Sequence, residues 1–63
     1  MPEQLDIKKW RMLRGYTQQE VADILGVSAK TVGFWEKEST ILSNVTVYAL
    51  AKLYNVDIDQ IRV

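Results

Sequence analysis

The sequence predicts an all-α fold, a compact bundle of five helices, and three observations carry that prediction. Apolar residues recur every three or four positions along almost the whole chain, which is the period of a helix with one buried face. No stretch alternates strictly between apolar and polar residues, as a half-buried strand would. Residues that start and stop helices punctuate the chain at short intervals.

The first helix is expected over about residues 4–14, with Leu5, Ile7, Trp10 and Leu13 facing inward. Gly15 ends it, because glycine tolerates the left-handed conformation that follows a helix. The second begins at Thr17, with Glu20 three positions on. That pair forms a capping box, in which hydroxyl and carboxylate each satisfy a free backbone N–H. Val21, Ile24 and Leu25 form its expected buried stripe, and Gly26 ends it.

Ser28 caps a third helix over about residues 29–37, with Val32 and Trp35 inward. A polar loop follows over about residues 38–43. Ser43 or Asn44 caps a fourth helix whose stripe is Val47, Leu50, Ala51 and Tyr54. Its opening Val45, Thr46 and Val47 are β-branched, so helix propensity is weak there. Asn55 is the expected left-handed stop, and Asp57 with Gln60 makes a second capping box for a short fifth helix containing Ile61.

Composition limits the function classes. Sixty-three residues make one small domain spanning 1–63, near the lower size at which a chain folds without staples. There is no cysteine and no histidine, which excludes disulfides and the usual zinc sites and fits a reducing compartment. No metal and no cofactor is implied. Lys8, Lys9, Arg11 and Arg14 interrupt the only early apolar run, so nothing resembles a signal peptide. No apolar segment approaches the roughly 20 residues of a membrane span, and the expected location is the cytoplasm. Without histidine, cysteine, a phosphate-cradling glycine loop or a pocketed carboxylate pair, an enzyme has little support. Eight basic and eight acidic residues give a net charge of zero. A strong general attraction to polyanions is therefore excluded, although the four basic residues between Lys8 and Arg14 leave room for a local basic face.

Buried stripes and caps explain most of this pattern, but not the spacing between the second and third helices. A turn as short as Gly26 and Val27 forces a steep crossing. That is the geometry of a helix-turn-helix, whose second helix projects its N-terminal half toward a DNA major groove.

The residues that surround this turn carry a resemblance. Ile7-x-x-Trp10-Arg11-x-x-x-Gly15-Tyr16-Thr17-Gln18-x-Glu20-Val21-Ala22-x-x-Leu25-Gly26-Val27-Ser28 is similar to the Cro/repressor-type, or XRE-like, helix-turn-helix family. Val32-x-x-Trp35-Glu36 continues the pattern, and Leu50-Ala51-Lys52-Leu53-Tyr54-Asn55-Val56 resembles the family's fourth-helix ending. The resemblance covers almost the whole chain. It implies a lambda-repressor-like five-helix domain that binds double-stranded DNA, usually as a dimer on a nearly palindromic operator.

Site residues follow from the same match. Gln18 corresponds to a glutamine that contacts phosphate and buttresses the recognition helix, against the simpler reading of a solvated side chain. Ser28 matches a cap that also reaches phosphate, and Ala29, Lys30, Thr31, Gly33 and Phe34 match groove-facing positions. Lys37 matches a polar position near the DNA backbone, and Arg11 with Glu36 matches a structural ion pair. A missing side chain at Gly33 permits close approach, the Phe34 ring can meet thymine methyls, and Lys30 can donate to guanine. Phe34 also admits packing against a partner subunit or a neighbouring loop.

Two departures stand out. The loop after the third helix lacks the family's glycine and basic residues and carries Ile41 and Leu42 instead, and Asn44 replaces an apolar residue. Ile41, Leu42, Tyr48 and Val63 are left over after the stripes are assigned, which makes them candidate anchors of a weak homodimer. They also leave open a protein–protein assembly or antitoxin-type module. The whole points to a small transcriptional regulator of the phage or prophage repressor or Cro-like kind. Its size fits a free-standing DNA-binding domain, with no small-molecule ligand evident.

Overall fold

Asp6 caps the first helix, which starts at Ile7, about three residues later than the sequence pattern suggests. Its carboxylate accepts from the backbone N–H of Lys9 at 2.8 Å, satisfying a donor that the helix itself leaves open. The computed structural model describes residues 4–37 and 41–62. Among them run α1 (Ile7–Leu13), α2 (Gln18–Leu25), α3 (Ala29–Trp35) and α4 (Asn44–Tyr54), followed by a 3-10 turn at Ile58–Gln60.

The helix boundaries have local causes. Thr17 and Glu20 form the full capping box at the start of α2. Ser28 and Ser43 cap α3 and α4, accepting from Thr31 and Thr46 at 3.1 and 3.2 Å, so Ser43 and not Asn44 is the cap of α4. Gly26 and Asn55 end α2 and α4 in the left-handed region at φ 73° and 58°. The third helix stops at Trp35, with Glu36 as its C-cap. Lys37 lies beyond it, and residues 38–40 of the expected loop fall outside the described residues.

Among the described residues the fold has four α-helices where five helices were expected. Asp57 and Gln60 do interact, the Asp57 N–H donating to the Gln60 side chain at 2.9 Å. The segment nevertheless closes only a single 3-10 turn, because Ile61 leaves it in extended conformation. Leu5 and Ile61 form a parallel bridge in which the Leu5 N–H donates to the Gln60 carbonyl and the Arg62 N–H to the Leu5 carbonyl. The Trp10 indole donates to that same Gln60 carbonyl at 2.8 Å. Pairing across the two ends therefore takes Leu5 out of α1 and Ile61 out of a fifth helix.

The core comprises Ile7, Trp10, Val21, Ala22, Val32, Val47, Leu50, Ala51, Tyr54 and Ile61. Of the other residues expected inward, Leu5, Leu25 and Trp35 pack half-buried against this core, whereas Leu13 is 63% and Ile24 55% exposed. The inward side of α1 carries the buried Ile7 and Trp10 and the half-buried Arg11, the i, i+3, i+4 set of a helix, and Leu13 falls outside it. In α2 the stripe is Gln18, Val21, Ala22 and Leu25, and Ile24 falls outside in the same way. Arg14 stays useful at the edge: its guanidinium stacks over Trp10 and its Nε donates to the Tyr54 carbonyl at 2.7 Å. A cation there also suits the negative end of α4.

Candidate nucleic-acid interface

Two short helices build the site. The left-handed Gly26 reverses the chain after α2, and the Val27 N–H closes the turn onto the Ala22 carbonyl at 3.0 Å. Ser28 then opens α3 immediately, and the two helices pack directly against each other. The inward side of α3 carries the buried Val32 and the half-buried Ala29 and Trp35. Its outward side carries Lys30, Phe34 and, just past the helix end, Lys37, spaced i, i+4, i+7.

The candidate residues do not all share this outer face. Lys30, Phe34 and Lys37 are exposed, and the Lys37 ammonium lies 5.8 Å from the centre of the Phe34 ring. Ala29 is turned partly into the core. Ser28 and Thr31 share a 2.9 Å hydroxyl–hydroxyl hydrogen bond at the start of α3, with Ser28 exposed and Thr31 half-buried. Gly33 faces the side chain of Gln18: a Cβ added there would stand 3.6 Å from the Gln18 amide.

Behind this face lies a polar junction of three helices. Arg11 of α1 donates to both oxygens of Glu36, Nε to Oε2 at 2.7 Å and Nη2 to Oε1 at 3.2 Å. The Arg11 Nη1 donates to the Tyr16 carbonyl at 2.9 Å. Only 11% of the Arg11 and 3% of the Glu36 side chain is exposed, so the fork-to-fork pair is nearly dry. The Glu36 hydrogen bond holds the Arg11 guanidinium above its ordinary value despite burial. Gln18 joins from α2, its Nε2 donating to Glu36 Oε1 at 3.1 Å. Glu36 ends α3, where a bare negative charge would oppose the helix dipole, and Arg11 offsets it.

The family resemblance led to the expectation of the Arg11–Glu36 pair and of a buttressing Gln18; the bond from Gln18 to Glu36 itself went unread, although a signal was present. Gln18 stands three and four residues before Val21 and Ala22, on the inward face of α2. A solvated or phosphate-bound glutamine does not need that register. The apolar residues outside the core are distributed differently from the expected anchors. Ile41 is 96% exposed and Tyr48 is exposed, but Leu42 packs on the core, while Val45, which was not among the expected anchors, is also exposed. Val63 lies outside the described residues.

Among the described residues, no cluster of carboxylates could hold a metal ion, and no helix is long and apolar enough to cross a membrane. No curated protein matches the chain. The helix-turn-helix family HTH_3 matches residues 7–61, from the first residue of α1 to the bridge at Ile61. The chain therefore belongs to the XRE-type helix-turn-helix family of DNA-binding transcription regulators.

Proposed function

We propose that this protein is a sequence-specific regulator of the repressor or Cro-like kind, reading the DNA major groove with α3. The observation that carries the reading is the outer stripe of α3, where Lys30, Phe34 and Lys37 project from a helix opened by Ser28 and fixed from behind. Lys30, in the first turn, reads a base edge, and Phe34 contributes an apolar contact to thymine methyls. Gln18, Ser28 and Lys37 hold phosphates, while Ala29 and Thr31 supply methyl groups at the groove edge. The protein acts in the cytoplasm on a near-palindromic operator as a weak homodimer, with Ile41, Tyr48 and residues of the C-terminal third at the contact.

Selection of sites from a random DNA pool, followed by titration at two salt concentrations, tests this. A groove reader yields one enriched site and an affinity that falls steeply with salt. Lys30→Glu sets a carboxylate on this exposed face and should abolish binding while the fold remains. Should Lys30→Glu bind the enriched site as tightly as the wild type, α3 is not the reading element.

A second reading, a protein–protein assembly or antitoxin-type module, is favoured by the zero net charge and by the exposed Ile41, Val45 and Tyr48. It predicts salt-independent behaviour toward random duplex and self-association in sedimentation at millimolar protein.

A further inference from the structure

We propose that Glu36 and Gly33 are positioning residues for Gln18, holding its amide so that an N–H, and not the carbonyl, is offered to a DNA phosphate. The inference rests on the reading of Gln18 as a phosphate contact and adds what makes that contact one-sided. An ionised carboxylate only accepts hydrogen bonds, so the atom of the Gln18 amide that meets Glu36 Oε1 at 3.1 Å is the nitrogen. That nitrogen carries two hydrogens, and the Glu36 bond uses one. A phosphate oxygen is also acceptor-only, so the second hydrogen is the group it can use. A glutamine free to turn its amide over would present the carbonyl half of the time and repel the phosphate.

Two neighbours make the arrangement workable. Glu36 alone would place a negative charge close to the anion. Arg11 occupies both of its oxygens, which neutralises the carboxylate and fixes its plane. Gly33 provides the seat. An added Cβ would touch the Gln18 Nε2 and Oε1 at 3.6 Å each and Cδ at 3.9 Å. One carbon fits at ordinary contact, and the branches of a larger side chain run into the amide. The glycine in the middle of α3, which weakens the helix, thus has a steric reason inside the protein. Gln18 opens α2, where the first backbone N–H groups have no partner within the helix, so the oriented amide adds a donor where donors already gather. Holding the side chain in the free protein removes an ordering cost from binding.

Double-mutant cycles on DNA affinity test the coupling, using the selected duplex and a random duplex. Gln18→Ala should lower affinity for both alike, by about tenfold for one charge-assisted contact. Gly33→Val should cost about as much, and Gly33→Val with Gln18→Ala should still lose about tenfold, not the hundredfold of independent sites. Gly33→Ala should stay within about twofold, since a methyl fits. Glu36→Gln crossed with Gln18→Ala should show the same non-additivity. If Glu36→Gln does not fold at the assay temperature, the Gly33 cycle decides alone. Side-chain NMR gives a readout free of DNA: the Gln18 amide protons should be widely separated in the wild type and collapse toward free-glutamine values in Gly33→Val. Wild-type binding with losses that multiply in the cycle overturns the positioning role alone. A wild type with no salt-dependent affinity for any duplex overturns the DNA reading and this inference with it.

Discussion

The stripe of α4 and the stripes of the three helices before it follow one spacing and differ in content. Val47, Leu50, Ala51 and Tyr54 of α4 are buried and apolar but for one hydroxyl. The corresponding sets are Ile7, Trp10 and Arg11 in α1, Gln18, Val21, Ala22 and Leu25 in α2, and Ala29, Val32, Gly33 and Glu36 in and just after α3. Each of these includes a polar side chain on the inward face, and Arg11, Gln18 and Glu36 meet. One end of the molecule is thus packed for stability alone. The other is held by a network that also fixes α3, the element proposed to meet DNA. Helices of seven and eight residues are too short to persist alone in water, so α2 and α3 depend on that network as much as on Val21 and Val32.

Breaking the polar end should have the largest effect. Glu36→Gln leaves the Arg11 guanidinium without its counter-charge in a nearly dry site, and urea unfolding should show a loss of about 3–5 kcal/mol. Melting within a degree or two of wild type would mean the pair contributes nothing. Leu50→Ala at the apolar end, where the side chain is fully buried, should cost about 2–5 kcal/mol. Its effect on DNA affinity, measured well below the melting point, should be negligible, and a large effect would erase the division between the two ends.

Tyr54 lies where the ends meet and gives a smaller, pH-dependent signal. Its hydroxyl is buried with no hydrogen-bond partner, and burial, aided by the Glu36 charge and opposed by Arg11, pushes its pKa up to about 12. The folded-state value lies above the ordinary 10.0. The associated stability is therefore complete below pH ~10 and drains away as pH rises toward ~12, by about 1.4 kcal/mol per pH unit, because the unfolded phenol ionises first. Tyr54→Phe should remove this alkaline loss and, at neutral pH, stabilise the fold by about 1 kcal/mol by removing an unpaired hydroxyl. Destabilisation by Tyr54→Phe would show that the hydroxyl is satisfied in solution.

On the DNA side, Lys30→Ala should flatten preference at one base pair per half-site by about 1–3 kcal/mol in a mismatch-resolved binding assay. A uniform loss across all sequences would reassign Lys30 to a phosphate.

The sequence was most legible where a residue acts on its own backbone. Thr17, Ser28 and Ser43 start helices, and Gly26 and Asn55 stop them, because a hydroxyl cap or a left-handed residue has the same effect in any surroundings. The stripe of α4 was legible because all four of its members are apolar or aromatic. Leu13 and Ile24 were wrongly included in the stripes of α1 and α2 because the true register places Arg11 and Gln18 inward, and hydrophobicity cannot find a polar inward position. The bridge between Leu5 and Ile61 joins residues at opposite ends of the chain, and no local pattern encodes it. The groove-facing residues came from the family resemblance, whereas the bond from Gln18 to Glu36 became visible only once α2 and α3 were packed.

Backbone chemical-shift mapping with the selected duplex tests the central claim most directly. The outer stripe of α3 should move, with the largest shifts at Gln18, Ser28, Lys30 and Phe34, while Val47, Leu50 and Ala51 of α4 stay in place. Largest shifts at Val45, Tyr48 and Ile58, with α3 unmoved, would contradict it and make the exposed side of α4 the functional surface.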